Sequence, residues 1–496
     1  MTGPVLLPDL LRAAAAAEPG RTALIVDGRG SMSYGEWESR SNVIARNLVQ
    51  REVAVGDRIA LFFENAEWLD FAAAYFGVLK AGAIAVPLSS RFTGQELTSI
   101  LDRCAAVGVV WAEHKPEAPG WAATMAELEA GESGEQFQVP VPQENIAEVL
   151  YTSGTTGLSK GVACRHVHAV RPLIDASWPP AWWRACAGSV YVHANAISTA
   201  AGQLRLLEPL GPLRMTTLAL PVFDPDRLCH LMASNAATVV QLVPSMAGSI
   251  LDTGAAGRHD LSSVRVVSVG CAPLPTPLVS PLSAAFPSAR LVNLYELTEA
   301  RHAGTALVYD GTRADSVGLP RGITQIRVTS ETGEEVPPGV VGEVRMRWPG
   351  LPPQHYFRDA EGTASVFVKG WTRTGDAGYL DGSGYLHLVD RLKDVIIKGG
   401  INIGSLEVEN ALREHRAVTD CAVFGVPDRV HGEDLAAALV LSQAVPLRDL
   451  RDFLRSRLPP HKIPTRFLKL DKLPRNRSGK VVKNQLREWA RTGTRT

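Results

Sequence analysis

Apolar runs of strand length alternate with amphipathic, helix-like stretches through much of this chain, and that alternation makes parallel β-sheet its organising element. Arg58 to Phe63 leads, through a stretch containing Tyr75 and Leu79, to a second run at Ala83 to Pro87. Further runs lie at Ala147 to Thr152, Thr238 to Val243, Val264 to Val269 and Arg290 to Tyr295, each closed by a loop rich in Gly, Pro, Ser or Thr. Open α/β sheets bind ligands beyond the carboxyl ends of their strands, so the chemistry is expected in these loops.

A chain of 496 residues exceeds what one hydrophobic core normally supports, so at least two domains are expected. Near Asp390, DRLKD follows the glycine-rich DGSGYL and a new α/β pattern begins, which divides the chain into 1–389 and 390–496. The 51 Lys+Arg cancel the 51 Asp+Glu, and without a basic surplus nucleic acid is not an expected partner. The N-terminal apolar stretch lacks a basic start and no apolar run reaches membrane-spanning length, so a cytoplasmic enzyme without a membrane span is expected. Cys104, Cys164, Cys186, Cys229, Cys271 and Cys421 stand singly, as reduced structural thiols do; Cys164 alone has histidines, His166 and His168, at alternating spacing.

The loop richest in chemistry is YTSGTTGLSKG, residues 151–161, directly after an apolar strand. Thr152, Ser153, Thr155 and Thr156 offer hydroxyls, Gly154 and Gly157 offer backbone freedom, and Lys160 offers charge, a set suited to wrapping a polyphosphate. It is not a P-loop, because Ser159 stands at the second glycine and Gly161 follows the lysine. Alone, the stretch reads equally as a flexible surface turn.

This loop resembles the TSGTTG-x-P-K-G signature of the acyl- and aryl-CoA synthetases, luciferases and peptide-synthetase adenylation domains, and most closely the acyl-CoA synthetases. The resemblance continues in order over almost the whole chain. FGVLKAGAIAVPL (76–88), Tyr191 to His193, VGCAPL (269–274), NLYELTEA (293–300), WTRTGDAGYL (371–380), DRLKDVIIKGGINIGSLEVEN (390–410), VPDRVHGE (426–433) and LPRNRSGK (473–480) all correspond. It implies a large N-terminal domain of stacked α/β sheets with a small β-barrel-like subdomain, followed by a mobile C-terminal α+β domain. ATP and a carboxylic acid would meet at the interface, where exclusion of water protects an acyl-adenylate.

The resemblance also implies roles. Attack of a carboxylate on the α-phosphorus of ATP gathers negative charge that donors and cations must meet. Lys480 would bridge carboxylate and α-phosphate, Thr298 would bond that phosphate, and Glu299 with Thr155 would hold Mg²⁺. Asp376 would accept the ribose hydroxyls, with Arg391 near ribose or phosphate. Adenine would stack between Tyr295 and the backbone of Cys271, Ala272 and Pro273, Asn293 would read its amine, and Leu294, Glu296 and Leu297 would complete that wall. The Cys271 thiol is expected to pack rather than react. His193, Ala194, Ile197 and Gly270 would border the acid. Lys393 marks the hinge about which the Lys480 loop gives way to the Gly399–Gly400 loop, which lines the thiol tunnel.

Three residues depart from the pattern. Ser159 replaces a proline, a mild loosening of a turn. Ser405, beside Gly404, replaces another, which leaves the thiolation loop less rigid; restoring proline there is expected to speed thioester formation. Glu296 replaces a glycine and brings negative charge close to both anionic substrates, so it must be paired, turned away or protonated, with Arg301 and His302 as nearby partners.

For substrate, VYVHANAISTAAGQL (190–204) lacks the acidic residue that amino-acid-activating relatives use to hold an α-amine. Ala194, Ala196, Ser198, Ala200, Ala201 and Gly202 suit either a roomy pocket for a bulky apolar acid or tight helix packing. Three functions remain open at this point: a ligase completing both steps on coenzyme A, an adenylating enzyme that hands its product to a carrier protein or another enzyme, and a non-catalytic nucleotide or acyl binder. The retained charges Lys160, Glu299, Asp376 and Lys480 weigh against the last. A homodimer is compatible with each.

Overall fold

The structure is a computed structural model and describes residues 5–89, 92, 94–116, 120–152, 159–174, 180–475 and 480–492. Six parallel strands form the centre of the largest sheet, in the order Arg290–Glu296, Val266–Val269, Val239–Leu242, Val190–His193, Thr216–Ala219 and Thr22–Val26. Gly304–Val308 and Gly30–Ser33 flank them in antiparallel sense. A second sheet runs from His355–Tyr356 through Lys160–Arg165, Ile146–Thr152, Ile84–Leu88, Arg58–Phe62 and Gly108–Trp111 to Trp121–Thr124. The expected strands are therefore present, their ends shifted by a residue or two.

Between the two sheets lies helix Trp68–Lys80, buried around almost its whole circumference. A helix this apolar on every side can only be interior. Its one buried charge, Lys80, is answered by Glu38 at 2.8 Å and Asn42 at 2.6 Å, and burial lowers its pKa to about 8.

The barrel-like subdomain expected from the sequence is an antiparallel sheet of Gln325–Thr329, Gly342–Arg347, Trp371–Leu380, Phe367–Val368 and Leu386–Arg391. Its last strand continues past residue 389, since Asp390 pairs with Ala377 and Arg391 with Asp376. Beyond it a separate core forms on the long hairpin Val418–Asp428 and Gly432–Leu441, covered by helices Ser405–Arg413 and Leu447–Arg455. Helix Lys483–Thr492 packs on the hairpin's other face. Among the described residues no helix is long and apolar enough to cross a membrane.

Candidate active site

Thr152 and Lys160 face each other across the hairpin that carries the phosphate loop, and Thr152 donates its hydroxyl to the Lys160 carbonyl at 3.4 Å. The loop residues between them, Ser153, Gly154, Thr155, Thr156 and Gly157, lie outside the described residues. Lys160 Nζ sits 4.8 Å above the Tyr356 ring and 3.9 Å from Asp359. Tyr356 in turn donates its hydroxyl to Glu299 Oε1 at 3.2 Å. Burial and then the Glu299 charge hold this phenol well above its ordinary pKa, so it remains a donor. Sequence reasoning missed Tyr356. Its signal was the Tyr-Phe-Arg-Asp run ahead of a helix N-capped by Asp359.

Glu299 uses only one carboxylate oxygen for Tyr356, so its oxygen-donor chemistry fits a hard divalent cation such as Mg²⁺. Cys164, His166 and His168, by contrast, form no metal site. Burial raises the Cys164 pKa to about 12 and lowers both histidines to about 4. His168 is spent on backbone: Nδ1 accepts from the Arg165 amide at 3.0 Å and Nε2 meets the Pro352 carbonyl at 2.7 Å.

Strand Arg290–Glu296 reaches the cleft, and its two-residue period sends neighbouring side chains to opposite sides. Tyr295 packs toward the small antiparallel sheet and donates its hydroxyl to Asp376 Oδ2. Asp376 Oδ1 is taken by Arg391 Nε at 2.8 Å, a geometry fixed by their register pairing. Burial raises the Asp376 pKa against the pull of Arg391 and Tyr295. Lys480 approaches the same group: burial and then repulsion by Arg391 lower its ammonium pKa, while Cys271, Asp376 and Glu299 draw it back up. Asn293 is buried within the strand at 4% exposure.

Gly270 is buried, and a Cβ there would stand 3.2 Å from the Leu294 carbonyl. Cys271 follows with φ 68°, left-handed backbone that glycine takes more easily, so this turn holds local strain. The cysteine is the exposed one of the six, not packed as expected; the Ala272–Pro273 segment continues the same open rim. Burial of its surroundings and then the Glu296 charge raise its pKa, so the thiol is not activated.

Glu296 is paired, but with Arg321 rather than with Arg301 or His302. Arg301 instead meets Glu148 at 2.6 Å inside the fold, and burial, then Arg301, keep His302 neutral. Leu294 shares the Glu296 side of the strand and packs with Tyr191, whereas Leu297 turns to the small sheet; Thr298 opens the turn that carries Glu299.

His193 is wholly enclosed against Trp68, ring centroids 5.3 Å apart, and burial lowers its pKa to about 3. Its Nδ1 accepts from the Asn195 amide at 3.1 Å, which leaves the proton on Nε2, without a partner among the described residues. Ile197 is fully buried in the first core rather than facing a cavity, and Ala194 packs on the second. A Cβ on Gly202 would stand 2.1 Å from the Ala196 carbonyl. Gly202 therefore serves close packing, whereas Ala194, Ala196, Ser198, Ala200 and Ala201 are each partly exposed.

Strands Ile396–Lys398 and Ile401–Ile403 are joined by Gly399 (φ 57°) and Gly400 (φ 83°), a two-residue turn with both residues left-handed, which glycine alone adopts without strain. Lys393 is exposed just after Arg391 and just before this hairpin. Ser405 does not loosen the loop. It is fully buried, its amide donates to Asp390 Oδ2 at 2.7 Å, and its hydroxyl receives Lys483. Gly404 is required by close approach, since a Cβ would stand 2.6 Å from the Val389 carbonyl.

The description "AMP-binding enzyme" fits a model that matches residues 11–354, and "AMP-binding enzyme C-terminal domain" one that matches 407–480. This chain belongs to the AMP-binding enzyme family. It is 33% identical to a feruloyl-CoA synthase of an Amycolatopsis species, with 93% of this chain and 94% of the relative covered. It is 31% identical to a fatty acid–[acyl-carrier-protein] ligase of Streptomyces coeruleorubidus, over 95% and 94%. Among solved structures, ATP-bound MatB from Rhodopseudomonas palustris matches with TM-score 0.87 at 28% identity, over 98% and 99%. The mixed α/β architecture with a large N-terminal and a small C-terminal unit is that of the adenylate-forming enzymes.

Proposed function

We propose that this chain uses ATP to activate a non-amino carboxylic acid as its acyl-adenylate and then transfers the acyl group to coenzyme A. What supports this reading is the Tyr295–Asp376–Arg391 cluster beside the Tyr356–Glu299 pair, with Lys480 of the C-terminal unit near enough for the charges of Asp376, Glu299 and Arg391 to act on it. In the first step a carboxylate oxygen attacks the α-phosphorus, the Pα–O–Pβ bond breaks and pyrophosphate leaves with its electron pair. Lys480 neutralises charge on the oxygens at phosphorus, and Tyr295 with Asp376 and Arg391 hold the nucleoside end. Lys160, Thr298 and the phosphate loop are suited to the polyphosphate. Glu299, together with Thr155 of the loop outside the described residues, would hold Mg²⁺, which would supply further neutralising charge. In the second step the thiol gives up its proton to solvent, its sulfur attacks the acyl carbon, the bond from that carbon to the phosphate oxygen breaks and AMP departs with the electron pair.

Alternation between the steps would use a hinge at Lys393, just after the strand that ends at Arg391. Rotation there would bring the Gly399–Gly400 hairpin to the cleft in place of Lys480. A carrier-protein acceptor is the second reading, favoured by the exposed Leu392, Ile397, Ile401 and Val430 around that hairpin and by the name of the Streptomyces relative. We read the enzyme as cytoplasmic. Screening carboxylic acids for pyrophosphate release, and weighing the product with and without coenzyme A, tests the proposal. Release without thioester would select the second reading, and no release with any acid would overturn both.

A further inference from the structure

Asp390 reaches across the hinge. It lies in strand Leu386–Arg391 of the large unit, ahead of Lys393, and is buried at 6% exposure. Its Oδ1 takes the Arg391 amide at 2.7 Å, a bond within the strand. Its Oδ2 accepts from the Ser405 amide at 2.7 Å, at the first residue of helix Ser405–Arg413, whose N-cap Gly404 has no side chain for that task. A carboxylate of the large unit thus caps a helix of the small one, where unpaired amides and the positive helix end both favour it.

Ser405 passes this contact on. Its hydroxyl accepts from Lys483, which also meets Glu409 at 3.1 Å. Lys483 opens helix Lys483–Thr492 and follows Lys480 closely in the chain. The segment bearing Lys480 is closed at its base, where Arg475 pairs with Val481 and the Val482 amide donates to the Pro474 carbonyl at 2.9 Å. Further along the same helix Arg487 meets Asp394 at 2.8 Å. The contacts of Lys483 with Glu409 and of Arg487 with Asp394 lie wholly beyond Lys393 and turn with the small unit. Asp390 lies before Lys393, so its bond to Ser405 joins groups that a rotation there separates.

We propose that Asp390, Ser405 and Lys483 are positioning residues for Lys480. They strap its segment to the large unit in the adenylating orientation, and the strap opens at the Asp390–Ser405 bond when the small unit turns to bring up the Gly399–Gly400 hairpin. This rests on the two-step reading above and names the contact that holds the first orientation. A cap with structural weight alone would slow both steps alike.

The test separates the two steps and measures the orientation directly. In D390A, single-turnover formation of acyl-adenylate is expected to fall about 10-fold, the scale of one lost hydrogen bond to a charged group, while preformed acyl-adenylate is thiolated no more slowly than by wild type. S405A keeps the amide and loses only the hydroxyl under Lys483, so adenylation should fall by less, about 3-fold, and a wild-type rate there would remove Lys483 from the strap. Fluorophores joined through unnatural amino acids at the exposed Val340 and Arg448 report the angle between the units by single-molecule energy transfer. D390A should raise the population away from the wild-type value about 10-fold. Equal slowing of both steps, an unchanged distribution in D390A, or a loss of ATP affinity that matches the loss of rate and so points to Arg391, overturns the proposal. Turnover of no acid by any variant would sink the ligase reading, and the energy-transfer distribution would still decide the strap. Should D390A fail to fold, hydrogen exchange at residues 404–406 of wild type decides. Slow exchange with ATP and faster exchange with acyl-sulfamoyl-adenosine plus coenzyme A is the expected result, and equal rates overturn it.

Discussion

Arg301 and Glu148 form an ion pair at 2.6 Å with side chains 5% and 0% exposed, joining the strand that ends in the phosphate hairpin to the turn that carries Thr298 and Glu299. Tyr75 donates its hydroxyl to the same carboxylate at 3.1 Å, which fastens both to the central helix. The strand Ile146–Thr152 and the turn of Thr298 and Glu299, both proposed above to handle phosphate, are thus tied together.

Removing one partner should be costly, since it leaves an uncompensated charge inside the fold. Arg301→Met is expected to destabilise by about 3–5 kcal/mol, whereas Glu148→Met with Arg301→Met should recover most of that loss. Chemical denaturation of the three proteins checks this. A single variant as stable as wild type would show that the pair has no structural weight.

Lys480→Ala is expected to lower acyl-adenylate formation by about 10²-fold or more while the fold remains intact, the usual scale for one transition-state charge contact. Preformed acyl-adenylate should still be thiolated. Because burial and Arg391 lower the Lys480 pKa, its ammonium is present at low pH and is lost as pH rises, at a lower pH than the ordinary lysine value of 10.5. The rate should therefore fall on the alkaline side in wild type, and Lys480→Arg should move that fall upward. A pH profile identical in both proteins would remove Lys480 from the step.

Asp376 anchors Tyr295 and Arg391 at once, so Asp376→Ala should weaken ATP binding by about 1.5–3 kcal/mol, roughly 10- to 100-fold in Kd. Tyr295→Phe keeps the ring and removes only the hydroxyl, and is expected to cost less. Calorimetric titration with ATP distinguishes them, and equal affinity in wild type and Asp376→Ala would contradict the proposed ribose contact.

Ser405→Pro removes an amide that donates to Asp390 and a hydroxyl that accepts from Lys483. The sequence alone suggested a gain in rigidity. The geometry instead predicts a loss of about 1–3 kcal/mol from unsatisfied buried groups, with a lower melting temperature and no faster thioester formation. A higher melting temperature would restore the first expectation.

The strands, their closing loops and the order of the motifs were legible in the sequence, because strand period, turn glycines and apolar runs are properties of near neighbours along the chain. Gly399 and Gly400 could be placed in a turn on the same ground. Tertiary structure alone decided which charges meet. Glu296 found Arg321 instead of the nearer Arg301 and His302, because the strand's alternation and the sheet beside it set the direction of each side chain. Tyr356 reached Glu299 from a two-residue strand too short to carry a pattern. Arg205 looked like one polar residue on an ordinary helix until the fold laid it on the Tyr191 ring at 4.3 Å. Hydrogen-bond and charge partners depend on which elements are brought side by side, and no local stretch of sequence contains that information.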